Sequence, residues 1–433
     1  MKNIDELRAQ TLAEAGGQPV IQTPFQRYNS LGKEEQVAVQ QVMESGVLSQ
    51  FLGCWHEDFY GGSKVREFEA DCCEFFGVKH AITVNSWTSG LIAAVGALDI
   101  EPGDEVIVSP WTMCASATAI LQWNAIPVFA DIDPLTFNID PASVRANITE
   151  KTKAIMAVDI FGQSADMDAL RAIADEFDLK IISDTAQAPG AFYKGKPAST
   201  LADIGGYSLN YHKHIHTGEG GVIVTNDDAL AERMRLIRNH AEAVLPDREA
   251  MPINNMLGYN FRLGEIECAI GIEQLKKLPA LVASRQHLAE RLADGLRDLV
   301  GLTVPTVAEG NSHVYYMFPL LVDTTQTGCS KHELARALKA EGVELATVYQ
   351  NLHLLPMYQQ KIAYGHHGFP WTAEFARQSV SYDKGICPVA EEMNDTSYLG
   401  FGMCTFSLSD DDVDLIIEAF HKVWAHKVAS RSA

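Results

Sequence analysis

A lysine that could form a Schiff base with a carbonyl lies in residues 207–225, YSLNYHKHIHTGEGGVIVT. Lys213 follows a serine and an asparagine, Ser208 and Asn210, and a glycine-rich turn comes after it. Because this chemistry requires a neutral amine, the site must lower the pKa of the lysine by desolvation or nearby positive charge. The alternative is an ordinary surface lysine in a loop. The polar partners around one amine favour the covalent role.

A phosphate-binding turn is predicted at residues 84–90, VNSWTSG, between an apolar run and a helical pattern. The free N–H groups and the dipole at the start of a helix favour a phosphate at this point. The alternative interpretation is a simple N-cap by Ser86 or Thr88.

Two further polar motifs follow apolar runs. Residues 183–187, SDTAQ, contain Asp184, and a buried acid needs a cation or hydrogen-bond donors, such as a protonated pyridine nitrogen. Its alternative is an aspartate that caps the next turn. Residues 258–262, GYNFR, offer Asn260 and Arg262 to a phosphate, including one bound across a subunit interface. The alternative there is an asparagine turn beside a solvated arginine.

Together these groups match one ligand, pyridoxal 5′-phosphate. Lys213 suits its aldehyde, Asp184 suits its ring nitrogen, and a helix N-terminus with Ser208 suits its phosphate. An aspartate that keeps the ring protonated makes the ring an electron sink when a substrate Cα–H is removed. Lys213 is then the natural general base for a 1,3-proton shift.

The elements that must position these groups alternate between strand and helix. Apolar runs predict seven strands, at residues 81–84, 106–108, 128–130, 154–158, 181–182, 204–209 and 222–224. Helical patterns lie between most of them, at residues 91–98, 115–123, 141–148 and 167–177. This alternation predicts an α/β fold with a mostly parallel seven-stranded sheet sandwiched by helices. Such sheets bind their ligands at the carboxyl ends of the strands.

The chain divides into four predicted parts: an N-terminal arm at 1–24, a large cofactor-binding domain at 25–263, a bridging helix at 264–300 and a small C-terminal α+β domain at 301–433. Helices are expected at 33–45 and 65–76, and the bridging helix is expected to break or bend near Pro279. The small domain is predicted to contain a strand at 315–322, helices at 331–341 and 411–425, and an irregular segment at 352–374.

Composition narrows the class of partner. The 433 residues carry 34 Lys+Arg against 56 Asp+Glu, a formal net charge of −22, which argues against nucleic acid or an anionic membrane. The eight cysteines form no CxxC pair, so neither a metal site nor a disulfide scaffold is predicted. The polar N-terminus and the short apolar runs predict a cytoplasmic protein without a membrane partner.

The motifs resemble those of the DegT/StrS family of sugar aminotransferases, within the fold-type-I aspartate aminotransferase superfamily. The resemblance runs from about residue 25 to the C-terminal helix. Matching segments are EPGDEVIVSPWT, AIPVFADIDPLTFNID, TKAIMAVDIFGQSADMDAL, SDTAQAPGAFYKGK, TGEGGVIVTND, GYNFRLGEIECAIGIEQL and CPVAEEM. The resemblance implies pyridoxal phosphate as cofactor, a homodimer with shared active sites, and a role in making a cell-surface polysaccharide such as lipopolysaccharide.

The resemblance also implies a role for each matching residue. Lys213 would hold the cofactor through a Schiff base, Asp184 would pair with the pyridine nitrogen, and Gln187 would lie near the ring hydroxyl. The groups implied to bind the phosphate are Ser208, the backbone of Thr88 and Ser89, and Asn260 from the neighbouring subunit.

Three positions depart from the family pattern. The usual small Gly-Thr pair of the phosphate turn is Trp87-Thr88 here. The position that often stacks an aromatic ring on the cofactor is Met113, with Trp111 two residues earlier, and which of these covers the ring stays open. The usual histidine after the strand at 154–158 is Asp159.

Family members usually move an amino group from L-glutamate to a keto or aldehydo sugar, which is often nucleotide-linked. The donor carboxylate needs a cation, and the candidates are Arg27, Lys64, Arg66, Arg262, His212, His214 and His216. For Lys64 and Arg66 a solvated charge is the favoured alternative. The local excess of cationic and imidazole groups supports the hypothesis of an acidic, non-nucleotide acceptor, an octulosonate converted to 8-amino-3,8-dideoxy-manno-octulosonate.

Three alternative functions stay open. The first is a nucleotide-keto-sugar aminotransferase, and the second is a non-catalytic regulator that binds pyridoxal phosphate. The third is a pyridoxal-phosphate-dependent sugar dehydratase, because one subgroup of the family replaces the lysine with histidine and histidines surround Lys213. The spacing from Ser208 to Lys213, and from Lys213 to Gly218, favours the lysine.

Overall fold

The computed structural model describes residues 4–247 and 251–428. In chain order its strands are β1 His80–Val84, β2 Glu105–Val108, β3 Ile126–Phe129, β4 Thr152–Val158, β5 Lys180–Asp184, β6 Phe192–Tyr193, β7 Lys196–Pro197, β8 Ile204–Ser208, β9 Gly221–Thr225, β10 Leu302–Thr303, β11 Phe318–Val322 and β12 Tyr398–Phe401.

The central sheet has seven strands in the order β1-β9-β8-β5-β4-β2-β3. Strand β9 runs antiparallel to both of its neighbours, and the remaining pairs are parallel. Strands β2, β3, β8 and β9 are buried at every position, since helices cover both faces of the sheet. The predicted α/β fold with a mostly parallel seven-stranded sheet is therefore confirmed.

Helices connect and cover these strands. Their bounds are α1 Ile4–Arg8, α2 Lys33–Ser45, α3 Ser63–Phe76, α4 Trp87–Ala97, α5 Ala115–Gln122, α6 Pro141–Ala146, α7 Met167–Phe177, α8 Asp228–Arg238, α9 Ala241–Val244, α10 Glu265–Leu296, α11 Thr324–Thr327, α12 Lys331–Ala340, α13 Pro356–Gln359, α14 Pro388–Glu392 and α15 Asp410–Lys427. Within the described part of the chain, none of the helices has the length and apolar character needed to cross a bilayer.

The long helix α10 continues through Pro279, so of the expected break or bend there the break is wrong. A proline inside a helix removes one hydrogen bond and costs about 3 kcal/mol. The helix buries one face along its whole length, including Leu275, Leu278 and Val282 on either side of the proline. This tertiary packing stabilises the continuous helix against the local cost of the proline.

Helix α8 was not predicted from the sequence, because arginines occupy part of its buried face. Arg233 and Arg238 are both buried in the structure. Arg233 pairs with Asp99 at 2.6 Å, and Arg238 pairs with Glu69 at 2.7 Å. A buried, paired arginine interrupts the apolar periodicity from which a helix is predicted.

A second, smaller sheet in the order β10-β11-β12 lies in the C-terminal part of the chain. Helices α10, α12 and α15 share its hydrophobic core. The strand predicted at 315–322 begins only at Phe318, because Tyr315 has a φ of +50°, outside the extended region.

The irregular segment predicted at 352–374 packs in the core of the central sheet. Its residues Leu352, Tyr358 and Trp371 lie in the same hydrophobic core as the central sheet. The chain therefore returns to the core of the central sheet before strand β12 completes the smaller sheet. The four predicted domain ranges stay predictions.

Candidate active site

A cavity of about 260 Å³ lies where β1, β5 and β8 reach their carboxyl ends. This is the edge at which parallel sheets bind ligands. Eight of the predicted site residues line the cavity: Trp87, Thr88, Met113, Asp184, Gln187, Ser208, His212 and Lys213. Ser86, Glu219, Tyr316 and Tyr349 line the cavity as well, and none of them is a predicted ligand-binding residue.

Lys213 is the basic centre of this cavity. Its side chain is only 8% exposed, and Nζ lies 4.4 Å from the centre of the Tyr316 ring. Burial lowers the pKa of this amine from 10.5 to about 8, although the negative charge of Asp184 acts in the opposite direction. A substantial fraction of the amine is thus neutral near physiological pH, which nucleophilic attack on a carbonyl requires.

Asp184 ends strand β5 and is 4% exposed. Its Oδ1 accepts hydrogen bonds from Trp87 Nε1 at 2.7 Å and from the backbone N–H of Ala186 at 3.2 Å. Its Oδ2 accepts from Ser116 Oγ at 2.7 Å. The carboxylate is therefore hydrogen-bonded rather than stranded in the protein interior. Ser116 was not predicted from the sequence, because a serine in the first turns of a helix is too common to signal a site.

The turn at the start of α4 serves as an N-cap. Ser86 Oγ accepts a hydrogen bond from Ser89 N–H at 3.1 Å, and Ser89 Oγ donates to Asn85 Oδ1 at 2.7 Å. Ser86 and Thr88 line the cavity, whereas Ser89 does not. The two interpretations of this turn are compatible, because a capped helix N-terminus still presents its dipole to an anion.

Ser208, at the end of β8, and Asn210, just after it, line the same cavity. Ser208 Oγ accepts a hydrogen bond from the N–H of Asn210 at 3.3 Å, and Asn210 Nδ2 donates to Glu219 at 2.8 Å. Asn210 Oδ1 is buried and has no hydrogen-bond partner among the described residues. This polar atom at the cavity wall is a ready contact for a bound ligand.

Gln187 is held in place by two hydrogen bonds. Its Oε1 accepts from Phe161 N–H at 2.9 Å, and its Nε2 donates to the hydroxyl of Tyr349 at 3.1 Å. Burial raises the pKa of Tyr349 to about 12, so this hydroxyl keeps its proton. Tyr349 comes from the C-terminal part of the chain, and sequence spacing gave no signal that it would reach the site.

The structure separates Met113 from Trp111. Met113 lines the cavity and is 64% exposed. Trp111 is fully buried, and its Nε1 donates to Asn351 Oδ1 at 2.6 Å. Of these two residues, Met113 is therefore the one that can cover a ring bound in the cavity.

The three clustered histidines point in different directions. His212 lines the cavity, and burial lowers its pKa to about 4, so the imidazole is neutral. His214 is fully buried behind the loop, where its Nε2 contacts the carbonyl of Val314 at 2.8 Å. Its ring lies outside the cavity wall, which contradicts the predicted role of His214 in substrate binding. Burial also lowers the pKa of His216, which does not line the cavity.

The remaining predicted cations lie outside this cavity. Arg262 Nε donates to Asn260 Oδ1 at 2.7 Å, and the carbonyl of Asn260 accepts from Asn85 at 3.2 Å.

Three other predicted cations have contacts elsewhere. Arg27 is exposed, and its backbone forms an isolated β-bridge with Phe406. Lys64 pairs with Glu67, and Arg66 donates to the carbonyls of Gly61 and Glu57. Within one chain, none of these side chains lines the cavity that contains Lys213.

Asp159, at the position where the family usually has histidine, lies in the core beneath the site. It accepts hydrogen bonds from Thr185 Oγ1 at 2.7 Å, Ser183 Oγ at 3.1 Å and the N–H of Ala165 at 2.9 Å. Burial raises its pKa to about 6. These contacts fix the backbone that follows Asp184, which is a structural role.

These residues fit pyridoxal phosphate. A buried amine and a hydrogen-bonded carboxylate face one small cavity, and hydroxyl groups cluster beside a helix N-terminus at its edge. The amine suits an aldehyde, the carboxylate suits a pyridine nitrogen, and the helix N-terminus suits a phosphate. With the mostly parallel sheet, this donor set defines a pyridoxal-phosphate-dependent enzyme of fold type I.

Comparison with known proteins identifies the family. The sequence pattern of the DegT/DnrJ/EryC1/StrS aminotransferase family matches residues 29–395, and the chain belongs to this family. It is a pyridoxal-phosphate-dependent sugar aminotransferase. The resemblance deduced from the sequence motifs is thereby confirmed.

Individual proteins show the same relationship. The chain is 33% identical over 400 residues to the spore coat polysaccharide biosynthesis protein SpsC of Bacillus subtilis, covering 91% of this chain and 95% of the relative. It is 39% identical over 299 residues to GDP-perosamine synthase of Caulobacter vibrioides, covering 69% and 79%. The crystal structure of an aminotransferase from Psychrobacter cryohalolentis superposes with a TM-score of 0.79 at 29% identity, covering 93% and 100%.

Proposed function

We propose that this enzyme moves the amino group of L-glutamate to a keto or aldehydo sugar, with Lys213 and Asp184 as its catalytic residues. The observation that carries this proposal is the buried amine of Lys213, whose pKa is lowered to about 8, in the same cavity as the carboxylate of Asp184. Bound pyridoxal phosphate supplies an electron sink for the negative charge that develops at the α-carbon of the donor.

Each residue of the chain then has a defined task. Lys213 would hold the aldehyde of the cofactor and would carry the proton between two carbon atoms of the reacting group. Asp184 would accept a hydrogen bond from the ring nitrogen, and Gln187 would contact the ring hydroxyl. Met113 would contact the ring, and the neutral imidazole of His212 would offer a hydrogen bond to the substrate.

The phosphate is assigned to the polar edge of the cavity. Ser208, Thr88 and Ser86 line this edge, and the dipole of α4 adds a favourable field. We assign Asn260 to the phosphate of the neighbouring subunit, which requires a homodimer with shared active sites. Exposed apolar side chains on α2 and the segment after it support such an interface, namely Val37, Met43, Val47, Leu48 and Leu52.

A trapping experiment tests the covalent assignment. Borohydride reduction of the protein with pyridoxal phosphate, followed by peptide mapping, is expected to label Lys213. Lys331 is the matched comparison, because burial lowers the pKa of its amine to about 8 as well. Labelling of Lys331, or of any lysine other than Lys213, would overturn the assignment.

A complementation experiment tests the shared site. The Lys213→Ala and Asn260→Ala variants are each expected to be inactive, or nearly so, when purified alone. Random reassociation of the two variants restores one intact site in the mixed dimers, so about a quarter of the wild-type activity is expected. If the mixture regains no activity, Asn260 does not serve the neighbouring site.

For the acceptor, we propose an acidic, non-nucleotide octulosonate, aminated to 8-amino-3,8-dideoxy-manno-octulosonate for a cell-surface polysaccharide. The support is the exposed Arg27, which precedes Tyr28, and the hydroxyl of Tyr28 donates to the carbonyl of His214 in the Lys213 loop at 2.6 Å. A nucleotide-linked keto sugar is the second candidate, and the name of the related GDP-perosamine synthase favours it.

Kinetics separate these acceptors. The kcat/KM for 8-oxo-octulosonate is expected to exceed that for nucleotide keto-sugars. Arg27→Ala is expected to lower kcat/KM for the acidic acceptor but not for a neutral sugar. A preference for the nucleotide sugar would reject the octulosonate. Recovery of a deoxygenated sugar without an amine would instead indicate a dehydratase, and the presence of Lys213 in the cavity argues against that outcome.

We also place the enzyme in the cytoplasm, where reduced thiols persist. The support is that all eight cysteines are free, and most of them are buried. Fractionation of the producing cell, with the enzyme followed by its activity, tests this location.

A further inference from the structure

Trp87 occupies the position where the family pattern has a small residue, and its indole is built into the site. Trp87 is the first residue of helix α4, and it is 5% exposed. Its Nε1 donates to Asp184 Oδ1 at 2.7 Å. This distance is that of a strong hydrogen bond to a charged acceptor. Trp87 is thus hydrogen-bonded directly to Asp184, the carboxylate that the proposed function assigns to the ring nitrogen.

Two glycines make room for this ring. A Cβ added to Gly206, in strand β8, would lie 2.2 Å from an indole carbon of Trp87. A Cβ added to Gly90, one turn further along α4, would lie 2.6 Å from another. Both distances are far shorter than van der Waals contact, so no other residue fits at either position while the indole stays in place.

A second donor holds the other oxygen of Asp184. Ser116 Oγ donates to Oδ2 at 2.7 Å and is also hydrogen-bonded to Thr112 Oγ1 at 2.8 Å. The backbone N–H of Ala186 adds a contact to Oδ1 at 3.2 Å. A carboxylate accepts about four hydrogen bonds, so three protein donors leave one acceptor position for a ligand.

We propose that Trp87 is a positioning residue that, together with Ser116, holds the Asp184 carboxylate in a single orientation and leaves one acceptor position for the ring nitrogen of the cofactor. The inference rests on the role that the proposed function gives to Asp184. Nothing in the turn itself requires a tryptophan, since Ser86 supplies the N-cap of α4. The indole therefore acts on the site through its N–H group and through the space that it fills between helix α4 and strand β8.

The hydrogen bond can be tested without the cofactor. In protein labelled with ¹⁵N-tryptophan, the six indole N–H signals are resolved by NMR, and Trp87→Phe assigns the signal of Trp87. We expect Asp184→Asn to move this signal upfield by more than any other indole signal, because a neutral amide is a weaker acceptor than a carboxylate. If the signal does not move, Trp87 does not donate to Asp184, and the proposal fails.

The consequence for the cofactor is tested with a matched pair of variants. Trp123 provides the control, since its Nε1 also donates at 2.7 Å, but to the backbone carbonyl of Ile92 rather than to Asp184. Trp87→Phe is expected to lower the affinity for pyridoxal phosphate and the rate of the glutamate half-reaction by roughly 10- to 100-fold, the effect of one hydrogen bond to a charged group. Trp123→Phe is expected to leave both within about twofold of wild type.

The rate of the half-reaction and the KM for glutamate together distinguish a positioning role from a purely structural one. A positioning residue changes the rate of the half-reaction and the absorption maximum of the bound cofactor but leaves the KM for glutamate nearly unchanged. Ser116→Ala is expected to show the same signature to a smaller degree, and it provides the test if Trp87→Phe does not fold. Equal behaviour of Trp87→Phe and Trp123→Phe would overturn the proposal. A wild-type protein that binds no cofactor at Lys213 would instead overturn the proposed function.

Discussion

Lys213 and Lys331 are both buried lysines, and burial lowers the pKa of each amine to about 8. Their surroundings differ. Lys331 Nζ donates to the carbonyls of Thr347 at 2.6 Å and Asn394 at 2.5 Å, so it ties two segments of the C-terminal part together. Lys213 Nζ instead lies over the Tyr316 ring at the wall of a cavity.

The comparison shows that a lowered pKa does not by itself identify a reactive amine. Lys331 has hydrogen-bond acceptors on the protein and is 1% exposed, so its amine is shielded from a substrate. Lys213 combines the lowered pKa with an adjoining cavity and with the carboxylate of Asp184. Reactivity therefore depends on the space and partners around the amine as much as on its basicity.

The largest expected difference between the two lysines is in catalysis. Lys213→Ala is expected to slow the glutamate half-reaction by roughly 1,000-fold or more, since it removes the covalent attachment and the general base together. The change is measured as the conversion of the cofactor absorption band in a single turnover. Lys331→Met is the matched control and is expected to retain the half-reaction. If both variants lose the reaction equally, the distinction drawn between these two amines is wrong.

Amine reactivity provides the second comparison. In the cofactor-free protein, Lys213 is expected to react with a small amine-directed reagent along a pH profile centred near 8. Lys331 is expected to react more than roughly tenfold more slowly at every pH, because it becomes accessible only through local unfolding. Peptide mapping after brief labelling measures both rates in one sample. Equal labelling would show that the carbonyl contacts of Lys331 do not protect it.

The sequence carries much of the fold and of the site around Lys213, and the reason is local. The apolar strand runs, the helix-start turn at Ser86 and the motif around Asp184 each occupy a few consecutive residues. Parallel sheets bind their ligands at the carboxyl ends of the strands, so the predicted strands also predict that Asp184, Ser208 and Lys213 lie near one another. The cavity contains all three.

What the sequence did not reveal depends on contacts between distant residues. Tyr316 and Tyr349 reach the cavity from the C-terminal part, and no spacing connects them with Lys213. The opposite orientations of His212 and His214 follow from packing against Val314 and not from their identical residue type. Helix α8 was missed for the same reason, because its buried arginines find acidic partners far along the chain.

Stability as a function of pH gives the third comparison. The pKa of Lys213 is about 8 in the folded protein and 10.5 in the unfolded chain, so the unfolded chain binds more protons between these values. The free energy of unfolding of the cofactor-free wild type should therefore rise from pH 8 to 10.5 relative to that of Lys213→Met, by about 2–3 kcal/mol. Urea unfolding of both proteins at several pH values measures the difference. A constant difference would show that the lysine is not buried as its neutral form.

The smallest expected effect is that of Lys331→Met on stability. The substitution leaves the carbonyls of Thr347 and Asn394 without their donor, which costs about 1–3 kcal/mol for each buried group. It also removes the need to bury a basic group, which offsets part of that loss, so a net destabilisation of about 1 kcal/mol is expected. Urea unfolding measures it, with Lys339→Met as an exposed control whose ion pair with Glu344 contributes little. If Lys331→Met is instead more stable than wild type, the desolvation of the amine outweighs its two hydrogen bonds. Burial of either amine would then cost more than its contacts return, and the cavity beside Lys213 would remain as the feature that distinguishes the two lysines.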